Sequence, residues 1–297
     1  MTQPHQVADG VWMLRTVLVN VFFVRLQAGG WVLVDAGIAG SAGAIKAAAA
    51  AIFGADPPQA VLLTHGHFDH VGALRTLLAE WDVPVYAHPF ELPHLTGRQP
   101  YPPPDPTVGG GLLAWSSFLF PRGPYDFGAR LLALPPDGRV PVAPEWVAVH
   151  TPGHTAGHVA FLRESDRALI AGDAVTTTQQ ESALKVLVQR PELHGPPAYF
   201  TVDWDAARWS VQRLASLHVE ALLASHGRPM YGEEMRADLD DLATRFDQRA
   251  LPRHGRYVES EADWRRGVIV PLAAAMAAGA TTMFLLERYR GRQRFAA

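Results

Sequence analysis

The chain has 297 residues, a formal net charge of −3 and no cysteine. That length can bury a large core in one domain or two. The weak negative charge gives no general attraction to nucleic acid or to an anionic membrane, and the lack of cysteine removes both disulfides and thiolate metal ligands.

Met1-Thr2-Gln3-Pro4-His5 lacks the basic-then-apolar pattern of an export signal, so a cytoplasmic protein is expected. Residues 11–14, 17–26 and 31–34 read as an antiparallel meander, with Ala28-Gly29-Gly30 as a hairpin turn and Asp35 just past the last strand. Ser41 is placed to cap an alanine-rich helix over residues 42–53. Ala60-Val61-Leu62-Leu63-Thr64 has the short apolar run of a buried strand, and the apolar residues at 71, 74, 77 and 78 have the spacing of a helix face. That helix is expected to run to about 81, with a strand over 83–87 behind it.

Between that strand and that helix stands His65-Gly66-His67-Phe68-Asp69-His70. His65 and His67 are two apart on an extended segment, so their side chains point the same way. Asp69 and His70 fall where the chain turns into the helix and approach from another side. One loop can therefore serve two neighbouring metal positions, with the imidazole and carboxylate ligands that zinc, iron or manganese accept.

The second half repeats the alternation, with strands expected at 140–142, 146–149, 159–162, 168–170 and 221–224 and helices at 203–217 and 233–249. Polar residues again sit just past apolar strands. His154 and His158 lie in Thr151-Pro152-Gly153-His154-Thr155-Ala156-Gly157-His158, Asp173 follows Ala168-Leu169-Ile170-Ala171-Gly172, and His226 follows Ala221-Leu222-Leu223-Ala224-Ser225. Such residues gather at one edge of a sheet, as a metal site requires.

The ordered set His65, His67, Asp69, His70, His154, Asp173 and His226 resembles the metal signature of the metallo-β-lactamase superfamily, in its glyoxalase II-like and lactonase-like hydrolase branch, over about residues 10–230. The resemblance implies an α/β fold of four layers, αββα. It implies two divalent metal ions, zinc first and iron or manganese as alternatives. His65, His67 and His154 would hold one metal, Asp69, His70 and His226 the other, and Asp173 would bridge them. Two such metals share a hydroxide that attacks an ester, lactone or thioester of a small-molecule substrate. Asp69 would in addition pass a proton to the leaving group. Asp35 is expected to take a hydrogen bond from a ligating histidine; His158 is expected either to do similar work or to make a purely structural bond.

Departures narrow the branch. The thiolate of one group of true lactamases is missing. His67 stands where electron-transferring di-iron relatives carry an acid. No basic motif for glutathione accompanies the Thr-Pro-Gly-His loop, and residues 174–178 lack the tyrosine of acyl-homoserine lactonases. A mononuclear-iron sulfur dioxygenase, a phosphodiesterase and a non-catalytic binding module remain as other readings of the same fold.

Two insertions, about 89–128 and 176–200, are long enough to act as lids. Trp115, Phe118 and Phe120 in the first either line an apolar substrate pocket or pack an extra helix. A catalytic domain over 1–250 and a C-terminal helical extension over 251–297 are expected. The apolar stretch 267–286 contains Pro271 and much alanine, so a helix packed on the body or on a second copy, giving a homodimer, is expected rather than a membrane span.

Overall fold

Successive side chains on a strand face opposite ways, and in this chain both faces are apolar. On Asn20–Arg25, Val21 and Phe23 enter one buried cluster while Phe22 and Val24 enter another. Trp31–Val34 divides in the same way, Trp31 and Leu33 against Val32 and Val34. A strand buried on both faces belongs to the middle of a layered fold.

The computed structural model describes residues 3–259. In chain order the strands are β1 (His5–Ala8), β2 (Val11–Arg15), β3 (Asn20–Arg25), β4 (Trp31–Val34), β5 (Val61–Leu62), β6 (Val85–Ala87), β7 (Leu131–Ala133), β8 (Trp146–His150), β9 (Val159–Arg163), β10 (Ala168–Gly172), β11 (Ala221–Ala224) and β12 (Met230–Tyr231). The α-helices are α1 (Ala42–Phe53), α2 (Phe68–Val71), α3 (Leu74–Leu78), α4 (Leu92–Leu95), α5 (Leu112–Trp115), α6 (Ala183–Val188), α7 (Trp204–Ala215), α8 (Gly232–Thr244) and α9 (Phe246–Arg249).

The strands form two sheets, β1-β2-β3-β4-β5-β6-β7 and β12-β11-β10-β9-β8. Met13, Phe22 and Val34 of the first meet Phe161, Ile170 and Leu223 of the second in the core between the sheets. Ile45 of α1 and Leu74 and Leu77 of α3 cover the outer face of the first sheet. Val211 and Leu214 of α7 and Leu239 and Leu242 of α8 cover that of the second. The layers are αββα. Because β4 runs parallel to β5, and β10 to β11, the segments carrying Asp35, His65, Asp173 and His226 all leave their strands at one edge.

Several elements differ from expectation for identifiable reasons. Residues 140–142 turn instead of extending: Pro141 has no N–H to give a ladder, and Ala143 N–H donates to Val140 O at 3.0 Å. The helix after the histidine loop breaks into α2 and α3 at Gly72-Ala73, where Gly72 N–H donates to Gly37 O at 2.8 Å. The helix expected over 233–249 breaks at Arg245, which lies at φ −110°, ψ 35°. Ser41 occupies the cap of α1 but its hydroxyl makes no capping bond, whereas Asp203 caps α7 by accepting from Ala206 N–H at 2.9 Å.

Residues 251–259 return to the first insertion, where Tyr257 O–H donates to Pro103 O at 2.7 Å. The remainder of the expected C-terminal extension, with its 267–286 stretch, lies outside the described residues. Among the described residues, no helix is long and apolar enough to cross a membrane.

Candidate metal centre

The seven residues of the signature converge from four loops, and every one of them is buried. His67 sits at the N-terminal cap of α2 in extended conformation, which leaves His65 and His67 on one side and turns Asp69 and His70 inward from the first helical turn. His154 comes from the eight-residue loop that joins antiparallel β8 and β9. Asp173 and His226 follow β10 and β11.

Three ring nitrogens face one another in the first group. His65 Nε2 lies 3.1 Å from His67 Nδ1, which lies 3.0 Å from His154 Nε2. The second group is Asp69, His70 and His226, with His226 Nε2 at 3.4 Å from Asp69 Oδ2. Asp173 stands between the groups. Its Oδ2 is 3.4 Å from His154 Nε2 and 3.3 Å from His226 Nε2, and its Oδ1 is 3.5 Å from His70 Nε2.

Hydrogen bonds behind the rings assign their protons. Asp35, at φ 60°, accepts from Thr64 N–H at 2.9 Å, Thr64 O–H at 2.8 Å and His70 Nδ1–H at 2.8 Å. Those three bonds hold an aspartate in the left-handed region, which it tolerates better than most residues. Thr64 Oγ1, its proton given to Asp35, accepts from His65 Nδ1–H at 3.1 Å. Thr201 Oγ1 donates to Pro197 O and accepts from His154 Nδ1–H at 3.3 Å. His226 Nδ1–H donates to Leu18 O at 2.9 Å. Four imidazoles are thereby fixed with the Nε2 lone pair turned inward, the arrangement that ligating histidines need. His158 Nε2 accepts from the Asp173 backbone N–H at 2.8 Å, and its Nδ1–H donates to Thr151 Oγ1 at 2.8 Å. His158 therefore holds the Asp173 backbone, as Asp35 holds His70.

The donor set fits a cation. His70 Nε2 and Asp173 Oδ1 are buried without a hydrogen-bond partner, and orphaned polar atoms in a dry site are costly unless something else binds them. Burial, then the neighbouring imidazoles, pushes His65 and His67 well below the usual histidine range. Burial likewise takes His154 to about 4 and His158 to about 3. Burial also acts on His70, but Asp173, Asp35 and Asp69 outweigh it and raise that ring well above its usual value. Burial raises Asp69, whereas in Asp173 it is overcome by His226 and His70, which hold that carboxyl well below the usual range.

A pH dependence of the metal-free protein follows. The four depressed imidazoles bind fewer protons folded than unfolded, so stability falls with pH below the unfolded value of about 6.5. His70 and His226, both raised by the neighbouring carboxylates against burial, contribute nearly their full stabilisation through most of that range and add little slope. Asp69 opposes the trend, one carboxyl against four imidazoles. Thermal melts of chelator-treated protein are expected to show Tm falling from pH 6.5 through pH 4, where His154 charges, and on towards pH 3, where His158 does; a flat profile would contradict the assignment of protons.

Beside the centre lies an aromatic wall. The Phe200 ring is 4.5 Å from that of His67, and Phe120 packs 5.3 Å from Phe68 and 6.1 Å from Phe200. Of the candidate pocket aromatics Trp115, Phe118 and Phe120, Phe120 thus joins the wall. Trp115 and Phe118 stack edge-on with each other at 6.1 Å and remain 63% and 58% exposed. Phe68, Phe200, Thr64 and Thr201 carry no periodic or motif signal beyond their neighbours, and sequence reasoning missed them.

The model of the metallo-beta-lactamase superfamily matches residues 14–226. YflN of Bacillus subtilis (strain 168), a probable metallo-hydrolase, is 48% identical over 244 residues, 81% of this chain and 92% of its own length. The solved structure of TTHA1623 in a di-iron-bound form is 27% identical with a TM-score of 0.50, over 74% of this chain and 92% of that one. The fold is shared with BJP-1, a subclass B3 metallo-beta-lactamase of Bradyrhizobium japonicum, at 22% identity and a TM-score of 0.57 over 83% and 93% of the two chains. With its full ordered set of histidines and aspartates at one sheet edge and a family match that spans both sheets, the chain belongs to the metallo-beta-lactamase superfamily.

Proposed function

We propose that the protein is a di-metal hydrolase, with zinc in both positions, acting on an ester, lactone or thioester. The observation that carries this is the proton assignment: four imidazoles present inward lone pairs because their other nitrogens are tied back. His65, His67 and His154 would hold one metal and Asp69, His70 and His226 the other, with Asp173 between. A relative with a di-iron form supports two positions and keeps iron beside manganese as the other metals for this donor set. Paired divalent cations would acidify a water to near neutrality and polarise the substrate carbonyl.

The chain's own residues do the rest. Asp35 and His158 fix His70 and Asp173, so neither has to reorganise during the reaction. Asp69 is the most open member of the cluster, its side chain 11% exposed against 4% for Asp173 and 0% for His70. Its place at the open side of the cluster makes it the group placed to hand a proton to a departing alkoxide or thiolate. Phe68, Phe120 and Phe200 offer an apolar surface to the substrate's acyl part.

That wall gives a specificity test. Burying an acyl chain contributes roughly 0.8 kcal/mol per CH₂, so four carbons improve binding by about 3 kcal/mol, around a hundredfold. Medium-chain esters or lactones are expected to show higher kcat/KM than acetyl ones. Phe120→Ala is expected to flatten the preference at unchanged metal content, with a smaller effect from Trp115→Ala and Phe118→Ala at the outer edge. Equal rates across chain length in the parent enzyme would eliminate the acyl wall.

Elemental analysis followed by a panel of esters, lactones, thioesters and phosphodiesters tests the central reading. Two metals and cleavage of a carbonyl substrate support it. One iron with oxygen consumption replaces it by a dioxygenase, and cleavage of phosphodiesters alone replaces it by a phosphodiesterase.

A further inference from the structure

We infer that Glu91 positions the first metal group, as a single buried carboxylate that fastens the loop of His65 and His67 to the loop of His154. The inference rests on the two-metal reading above and assigns a role to a residue outside the signature.

Glu91 lies in the short 3-10 turn Pro89–Glu91 after β6 and is 1% exposed. Its Oε2 accepts from Gly66 N–H at 3.1 Å and from Tyr101 O–H. Its Oε1 accepts from Thr155 O–H at 2.7 Å and Gly157 N–H at 2.9 Å. Gly66 is the residue between His65 and His67, and Thr155 follows His154. One side chain therefore joins Gly66 to Thr155 and Gly157, in the same two segments whose His67 and His154 meet across 87 positions. Among the described residues no basic side chain pairs with Glu91 within salt-bridge distance. An ionised group in a dry site with four dipolar donors is a demanding arrangement, and it serves these two loops.

The loops are shaped to receive it. A Cβ at Gly66 would come 2.3 Å from the Tyr101 hydroxyl oxygen, and one at Gly157 would come 2.8 Å from Glu91 Oε1. Both glycines belong to the histidine motifs, and each leaves room for the Glu91–Tyr101 pair. Tyr101 is held in turn: its ring stacks on His94 at 4.0 Å and meets the His67 ring at 4.6 Å. By contrast, the four carboxylate bonds reach neither Asp69, His70 nor His226.

The role can be separated from packing because glutamine has the same shape. Each Glu91 oxygen accepts from a backbone N–H, and a backbone N–H cannot turn round. In Glu91→Gln the amide NH₂ must face Gly66 N–H or Gly157 N–H, so one clamp is lost with volume kept. A residue that only fills space would tolerate the change.

The experiment is titration of the metal-free protein with Co²⁺, following its visible absorption bands against a competing chelator. Melting curves show that each variant is folded. The parent is expected to bind two ions. Glu91→Gln is expected to weaken one site by about 10- to 100-fold, the scale for loss of a ligand's support, and to leave the other unchanged. In a His226→Ala background, which keeps only the first group intact, the remaining site is expected to weaken by the same factor. Should Glu91→Gln not fold, Thr155→Val and Tyr101→Phe each remove one donor to the same carboxylate and are expected to weaken the same site several-fold. A parent with two cobalt sites whose Glu91→Gln variant weakens both in step, or neither, overturns this inference and leaves the two-metal reading standing. A parent that binds fewer than two ions overturns both.

Discussion

Asp173→Ala is expected to lower hydrolysis at least about a hundredfold, the scale for removing a strong electrostatic contribution to the transition state. Among the described residues, Asp173 is the one carboxylate within 3.5 Å of ring nitrogens from both groups, those of His154, His226 and His70. Among the described residues its removal leaves five buried imidazoles with two acids against them, Asp69 beside His226 and His70 and Asp35 behind His70. Two cations held in that setting would lose the anion that screens their repulsion. Both kcat and metal content should therefore fall, and the comparison to make is kcat/KM on the best substrate together with elemental analysis of the same sample. Asp173→Asn tests charge apart from shape and is expected to fall nearly as far. Near-parental turnover with full metal content would remove Asp173 from the centre.

Removing the metals is expected to abolish hydrolysis and to lower Tm by roughly 10 °C, both restored by adding zinc or cobalt. A ligand that binds only the folded state at 1,000 times its Kd contributes about 4 kcal/mol, and each kcal/mol moves Tm by about 2–4 °C in a domain of this size. His65 Nε2, His67 Nδ1 and His154 Nε2 face one another at 3.0–3.1 Å, and His70 Nε2 is buried without a hydrogen-bond partner, so a bound cation would satisfy groups that the fold otherwise leaves opposed or orphaned. Activity that persists after metal has been removed to below detection would end the hydrolase reading.

The candidate metal centre was legible in the sequence because its residues follow strands whose apolar runs are short and unambiguous. Val61 and Leu62 need only pair with β4 and β6 for His65 and His67 to reach the sheet edge. Asp35 was legible for the same reason. Glu91 was not: it stands in Pro89-Phe90-Glu91-Leu92-Pro93, where a lone acid among apolar residues reads as a surface charge, and its four donors come from 10 to 66 positions away. β1 was missed because only Val7 of its four residues is buried, and the bend over residues 140–142 because two valines outweighed Pro141 in a reading by composition. The aromatic wall could be anticipated at Phe120 but not at Phe200, whose place over His67 depends on how the second insertion returns to Gly153 in the His154 loop and enters α7.

The two sheets contribute unequally to the two groups. The first supplies His65, His67, Asp69 and His70; the second supplies His154, Asp173 and His226. A ribosome delivers these in order, and a nascent chain that stops short of residue 154 presents histidines and an aspartate with no closed cage. The first cage can close only when the β8–β9 hairpin has emerged, and the second must wait for His226, whose Nδ1–H anchors on Leu18 from 208 residues earlier. Full loading of such a centre would therefore be a late event in the life of the polypeptide, a clasp that needs residues from both halves. A cation arriving earlier finds only an open, exchangeable set of ligands.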